Sequence, residues 1–118
     1  MSASQVKIVA TFSVNAFEAF TAIANEMTAY CKANEPDTLI YDWYVDVYKK
    51  EGRLLEVYRD TAAFRQHVTG KIFTEMAPRM MKAITWQSLE AYGDLPNEFD
   101  RVMKAFPSVH WAKSIAAL

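Results

Sequence analysis

The stretch that decides the fold is residues 38–73, which read TLIYDWYVDVYKKEGRLLEVYRDTAAFRQHVTGKIF. Two runs rich in aromatic, β-branched and leucine residues, 38–47 and 53–58, flank a charged segment that ends in Gly52. This pattern predicts a β-hairpin with a polar turn, in which the glycine can take a positive φ. Asp60 then predicts the N-cap of a short helix that extends to Val68 and carries His67.

Both strands of this hairpin carry apolar side chains on both faces. Trp43 and Tyr44 are neighbours in the first strand and therefore point to opposite sides, as do Leu54 and Leu55 in the second. A sheet covered on one side only shows a cleaner alternation of apolar and polar residues. We therefore expect helices against one face of the sheet and a further layer against the other.

The segment before the hairpin predicts a strand followed by a helix. Apolar and polar residues alternate over 6–13, which is typical of a strand. Asn15 and Glu18 have the spacing of a capping box at the start of a helix. That helix is expected to end at Asn34, in a left-handed conformation, shortly before Pro36.

The segment after the hairpin predicts the remaining elements. A helical piece is expected over 71–82, with a kink at Pro78. A strand is expected over 84–92, with Trp86 and Leu89 on opposite faces, followed by a turn at Gly93 and a small helix over 96–106. The tail is expected to form a short final strand or helix.

This order of elements predicts an α+β fold of the ferredoxin-like βαββαβ type, with an antiparallel sheet and an extra C-terminal helix. The prediction treats residues 1–118 as one domain, with its core at about 6–106 and a tail at 107–118. Both helical connections would pack on one sheet face and leave the other face bare. A second copy would cover that apolar face, so the sequence predicts a homodimer.

Composition limits the classes of partner and compartment. The net charge of −1 among 118 residues gives no electrostatic footprint for nucleic acid or for an anionic membrane. No apolar run approaches the ~18 residues of a membrane span. The segment MSASQ has no leader character, and the lone Cys31 excludes an intrachain disulfide. These features favour a cytoplasmic protein with a buried, inert thiol.

The spacing of ligand-type residues predicts no metal site and no tightly held nucleotide cofactor. His67 and His110 are far apart along the chain, and no His-x-His or Glu-x-x-His motif occurs. The three glycines are isolated, so there is no glycine-rich cradle for phosphate groups.

His67 and Glu56 are the candidate catalytic residues. The unperturbed pKa of histidine suits proton transfer near neutrality, although a lone histidine can equally be a structural group bonded to a carbonyl. Glu56 and Tyr58 can orient a phenolic ligand or can join a cross-strand network with a neighbouring arginine. Four aromatic residues, with nearby methionines, could line a pocket for a flat ring or could be ordinary core. These four are Trp43, Tyr44, Phe73 and Trp86.

Three motifs resemble the antibiotic biosynthesis monooxygenase family. They are EPDTLIY at 35–41, LEVYRD at 55–60 and AFRQH at 63–67. The resemblance extends over about 6–106 and implies a dimeric α+β barrel. It further implies that the chain oxidises a small aromatic phenol or quinol with O2, with no metal or flavin cofactor. In this interpretation His67 matches the histidine of quinol-oxidising relatives.

The resemblance implies roles for particular residues. His67 would be the base or a hydrogen-bond donor, and Glu56 would orient His67 or the substrate. Tyr58, together with the four aromatic residues, would bind the substrate. Two alternatives stay open at this point: a non-catalytic dimeric module that binds a ligand, and an isomerase or lyase that uses His67 for proton transfer without O2.

Overall fold

A computed structural model describes residues 4–118 of the chain. The first three residues of the expected leaderless segment MSASQ lie outside this range. No helix among the described residues is long and apolar enough to cross a membrane.

Five strands form one sheet in the order β2-β3-β1-β4-β5. The strands are β1 (Val6–Val14), β2 (Thr38–Val45), β3 (Glu51–Tyr58), β4 (Ile84–Tyr92) and β5 (Ser108–Trp111). The first four pair antiparallel, which confirms the predicted ferredoxin-like α+β core. The tail forms β5, which pairs parallel with β4, so the sheet is mixed and not purely antiparallel as predicted.

The helices form a layer on one face of the sheet. They are α1 (Phe17–Asn34), α2 (Thr61–Thr69), a π-helical segment (Ile72–Met76), α3 (Ala77–Met80) and α4 (Asp100–Ala105). A 3-10 turn, Asn97–Phe99, precedes α4, and together they form the expected extra C-terminal helix. The core lies between this layer and the inner sheet face, where alternate β1 residues from Val6 to Phe12 are buried.

Local signals explain where the helices begin. The Asp60 carboxylate accepts a hydrogen bond from the Ala63 N–H at 2.8 Å, which confirms the predicted cap of α2. The capping box predicted for α1 is wrong. The N-cap is Ala16, and the Asn15 amide instead donates to the Thr85 hydroxyl of β4 at 2.9 Å. The Asn15 side chain, which the local spacing assigned to the N-terminus of α1, therefore makes a tertiary contact with β4.

Other local predictions also need correction. The residue with positive φ in the hairpin turn is Lys49, at 58°, because Gly52 already lies within β3. The residue after α1, Glu35, has a φ of −126°, so the helix does not end in a left-handed residue. Pro78 stands in the first turn of α3, where no intrahelical donor is lost, and the irregularity lies before it in the π-helical segment.

A β-bulge in β4 changes which side chains reach the core. Thr11 pairs with Ser88 and Phe12 with Trp86, so Gln87 is an extra residue opposite β1. Strict alternation predicted that Trp86 and Leu89 point to opposite faces. The extra residue reverses the parity, and both side chains line the same internal cavity.

The outer face of the sheet carries several apolar groups that no helix of the described residues covers. Cross-strand pairing aligns Ile40 with Val57 and aligns Leu55 with Val9. Tyr92 of β4 pairs with Trp111 of β5 on the same outer face, and their rings stack with centroids 6.4 Å apart. Of these, Ile40 is 41% exposed and Trp111 is 54% exposed.

Candidate functional site

His67 is a buried histidine held in an aromatic shell. It lies in the last turn of α2 and only 1% of its surface is exposed. Its ring lies 5.2 Å from that of Tyr58, 5.4 Å from that of Tyr41 and 5.6 Å from that of Phe73, measured between centroids. The surrounding rings limit solvent access and fix the plane of the imidazole.

The Glu35 carboxylate fixes the orientation of His67. Glu35 is the residue that follows α1, and its Oε1 lies 2.8 Å from Nδ1 of His67. The Thr38 hydroxyl donates to the same oxygen at 2.9 Å, so the carboxylate is itself held in place. An ionised carboxylate only accepts hydrogen bonds, so Nδ1 carries the proton in this contact. In the neutral ring, Nε2 is therefore the acceptor, and the Glu56 carboxyl lies 3.5 Å from it.

The electrostatics favour a charged Glu35. Burial alone would raise the pKa of this carboxyl. The hydrogen bond and the positive charge of His67, with the hydroxyl of Thr38 and the thiol of Cys31, outweigh burial and hold the pKa of Glu35 below its usual range. Glu35 is therefore a carboxylate at neutral pH and can stabilise a protonated His67.

Glu56 lies on the other side of His67 and has the opposite tendency. Its Oε1 is 3.5 Å from Nε2 of His67, and it accepts a hydrogen bond from the Tyr58 hydroxyl at 2.5 Å. Burial raises the pKa of Glu56; the charge of His67 and the Tyr58 hydroxyl only partly offset this, and the charge of Glu35 adds to it. The two carboxyl groups beside His67 thus differ: Glu35 favours the charged form and Glu56 the neutral acid.

An apolar cavity of about 350 Å³ opens beside His67 and Glu56. It lies between the inner face of the sheet and the helix layer. This volume is within the range of sites that bind small organic molecules. The wall combines a few polar groups with many apolar ones. It includes Met27, Tyr41, Trp43, Leu54, Ile72, Phe73, Met81, Trp86, Ser88, Leu89, Arg101, Val102 and Phe106.

Three of the five expected substrate-binding residues line this cavity: Trp43, Phe73 and Trp86. The other two, Tyr44 and Tyr58, do not line it. Tyr44 points to the outer face of β2, is 52% exposed and borders only a shallow groove beside α1, because neighbouring strand residues alternate in direction. Tyr58 is fully buried behind Glu56 and does not reach the cavity wall.

The Trp43 indole is the one buried side-chain donor or acceptor of residues 4–118 that has no hydrogen-bond partner. Its ring packs edge-on against Tyr41 at 5.8 Å and lies 6.1 Å from the ring of Trp86. A buried N–H donor without an acceptor destabilises the protein, so a hydrogen-bond acceptor beside the Trp43 indole would be favourable.

Cys31, Glu35 and His67 place a sulfur, an oxygen and a nitrogen within 4.8 Å of one another. This donor set resembles that of a zinc site, and the sequence spacing gave no sign of it. The contacts fit a hydrogen-bonded cluster better. The thiol donates to Glu35 at 3.8 Å, while burial and the two neighbouring carboxylates raise the pKa of Cys31, which opposes the thiolate that a metal requires.

Glu35 is the site residue that the sequence analysis did not assign a role. Glu35 belongs to the EPDTLIY motif, which was used only as a mark of family resemblance at the start of the second strand. The helix end and the start of β2 bring it to His67, 32 positions away. The only signal in the sequence was an acidic residue that directly follows a helix with an apolar stripe.

Comparison with known proteins identifies the fold. No family model matches the sequence, and no curated protein matches it. Solved structures do match. MupZ from Pseudomonas fluorescens has a TM-score of 0.76 and 18% identity, over 97% of this chain and 93% of that one.

Two further structures carry functional descriptions. SnoaB, a cofactor-independent oxygenase from Streptomyces nogalater, has a TM-score of 0.67 and 18% identity, over 80% of this chain and 97% of that one. An antibiotic biosynthesis monooxygenase homologue from Caulobacter crescentus has a TM-score of 0.63 and 24% identity, over 75% and 88%. The chain therefore has the ferredoxin-like fold of the antibiotic biosynthesis monooxygenases.

Proposed function

We propose that this chain is a cofactor-independent monooxygenase that oxidises a small aromatic phenol or quinol with O2. The observation that carries the proposal is the hydrogen-bonded pair of Glu35 and His67, because His67 also lines an apolar cavity. The fold shared with SnoaB, itself a cofactor-independent oxygenase, supports the same assignment.

His67 would remove the proton from the substrate hydroxyl. Nδ1 donates to Glu35, so Nε2 is the nitrogen that accepts the proton. The Glu35 carboxylate then stabilises the imidazolium. The apolar walls exclude water, so the phenolate that forms is poorly solvated and electron-rich.

The phenolate would then react with O2 at a ring carbon. A C–O bond forms, and the resulting hydroperoxide loses water as the ring C–H proton leaves. For a naphthol the sum is ArH(OH) plus O2 giving the quinone plus H2O. The substrate supplies all four electrons, so the reaction needs no resident metal or flavin. Glu56, whose pKa is raised by burial, would protonate the departing hydroxide and would regain a proton from the ring carbon.

Oxygen uptake tests this proposal with a panel of hydroquinones and naphthols. We expect uptake with at least one substrate and the loss of most of it in His67→Gln. His110→Gln is the matched control, since His110 lies on β5 and bonds to the Gly93 carbonyl. Equal rates for the wild type and His67→Gln would show that His67 is not the base.

The two alternatives give different results in the same experiments. A ligand-binding module would show no uptake with any substrate, although naphthols would raise its Tm. An isomerase or lyase would exchange ligand C–H protons in D2O without O2, and the exchange would depend on His67.

We further propose that two copies pack through their outer sheet faces, as the sequence predicted. Four apolar side chains on the outer faces of β2, β3 and β1 support this, since an uncovered apolar patch is typical of an interface. They are Ile40, Val57, Leu55 and Val9. Light scattering should give a dimer for the wild type and a monomer for Val57→Lys. Val47→Lys, in the exposed hairpin turn, is the control, and a wild-type monomer at micromolar concentration would refute the dimer. The cytoplasmic location stays a prediction.

A further inference from the structure

Arg101 stands at the boundary between the cavity and solvent. It belongs to α4, and its side chain lines both the apolar cavity and a surface recess that it shares with Lys104. Its residue is exposed, whereas His67 at the inner end of the same cavity is buried. A cation therefore marks the mouth of a cavity whose proton acceptor lies deep inside.

Among residues 4–118, Arg101 makes no ion pair and no side-chain hydrogen bond. The other four arginines all have partners. Arg59 pairs with Asp37, Arg65 with Glu98, Arg79 with Glu26, and Arg53 donates to a backbone carbonyl. Glu98 borders the same recess, but its carboxylate is taken by Arg65. The guanidinium of Arg101 is thus left available to a ligand.

The cavity-lining groups beside Arg101 are apolar and offer an anion no charge. They are Val102 and Ala105 of α4, Phe106 directly after it, and Pro78 and Met81 of the neighbouring helical piece. These side chains favour an apolar ring. A guanidinium offers paired N–H donors that match the two oxygens of a carboxylate, and it contributes little to the binding of a neutral hydrocarbon edge.

We propose that the ligand of this cavity is a hydroxylated aromatic acid. Its hydroxyl would point inward to His67, its ring would fill the apolar cavity, and its carboxylate would bind Arg101 at the mouth. This inference rests on the proposed function for the hydroxyl and ring, and it adds the charge and its position. The class is narrower than phenols in general, because neutral naphthols lack the group that Arg101 recognises.

Equilibrium binding of two probes tests the inference. 6-Hydroxy-2-naphthoic acid carries its hydroxyl and carboxylate at opposite ends, and 2-naphthol lacks the carboxylate. Because Trp43 and Trp86 line the cavity, quenching of tryptophan fluorescence reports occupancy. At low salt we expect the wild type to bind the acid roughly 5- to 10-fold more tightly than 2-naphthol, a range set by a partly exposed charge-assisted contact. The preference should shrink at 0.5 M NaCl, as expected for an exposed ion pair.

Variants assign the preference to a residue. Arg101→Gln should remove the preference for the acid, measured as the ratio of the two Kd values in that variant. Lys104→Gln removes an equal charge from the shared recess but does not line the cavity, so it should keep the preference. An equal loss in both variants would attribute the effect to overall charge and would overturn the role of Arg101.

The outcomes separate this inference from the proposed function. If 2-naphthol binds and the acid binds no better, the anion site is refuted while the aromatic cavity stands. If neither probe quenches the fluorescence, both the anion site and the assignment of the cavity to small aromatic substrates fail.

Discussion

The contact between Glu35 and His67 leads to a quantitative prediction about stability. Glu35→Gln keeps the shape of the side chain and an oxygen that can accept the Nδ1 proton at 2.8 Å. It removes the charge. A hydrogen bond to a charged group contributes about 1.5–3 kcal/mol, against about 0.5–1.5 kcal/mol for a neutral one. We therefore expect Glu35→Gln to lower the free energy of unfolding by about 1–1.5 kcal/mol.

The same substitution should have a different effect when His67 is absent. In a His67→Leu background the Glu35 carboxylate has lost its main partner and is buried with 6% exposure. Neutralising it there relieves an uncompensated charge, so Glu35→Gln should cost nothing or should stabilise the protein. The coupling energy from the double-mutant cycle should therefore exceed about 1 kcal/mol.

Urea unfolding at pH 7, followed by circular dichroism, measures all four proteins of this cycle. This pH is appropriate because the pKa of Glu35 is lowered. A group with a lowered folded pKa stabilises the protein above its unfolded pKa and loses that effect as the pH falls through the folded value. Glu90→Gln is the control, since this exposed carboxylate accepts only from the Tyr92 hydroxyl. A coupling below about 0.5 kcal/mol, within the error of additivity, would refute the pair.

Three further predictions test the surroundings of the site. Because burial raises the pKa of Glu56, folding favours its acid form, and the stability it provides below pH about 4.3 is lost as the pH rises through the folded pKa. Glu56→Gln should therefore gain Tm relative to wild type between pH 5 and pH 8, and a constant difference would contradict this. Gly52→Ala should destabilise by about 1–3 kcal/mol in urea, because a Cβ would meet the Phe12 ring and lie 2.5 Å from the Tyr44 carbonyl oxygen; an unchanged midpoint would contradict it. Asp60→Ala should cost about 1 kcal/mol through the lost cap of α2, whereas Asp60→Asn should cost less; equal costs would show that side-chain capping is not the cause.

Sequence patterns predicted the parts of the fold that depend on local chemistry. The limits of β4 are those expected, and the α2 cap at Asp60 is confirmed. Alternation and capping are properties of a few consecutive residues, so they can be read from the chain directly. The predictions failed where a distant segment decides the outcome. Asn15 bonds to Thr85 and does not cap the helix, and a bulge brings Trp86 and Leu89, expected on opposite faces, to the same cavity.

The candidate site likewise contains residues that the sequence could predict and residues that only distant contacts define. His67 and Glu56 could be selected by residue type, because few side chains can transfer protons near neutrality. Glu35 could not, since its role depends on a contact over 32 positions that neither motif nor periodicity encodes. The wall residues were only partly predicted for a related reason. Tyr44 and Trp43 have similar side chains and adjacent positions, and only the pairing of β2 within the sheet decides which of them faces inward.

The π-helical segment is a position at which the shape of the cavity can change by the gain or loss of one residue. Within Ile72–Met76 the Ala77 N–H bonds to the Ile72 carbonyl, so this turn holds one residue more than an α-helical turn. Loss of a single residue here would restore regular winding and rotate Phe73 by about 100° relative to the following helix. The ring that now packs against His67 would then leave the wall. Length variation of one residue in this turn, with no change in Glu35 or His67, would therefore give homologous chains differently shaped cavities.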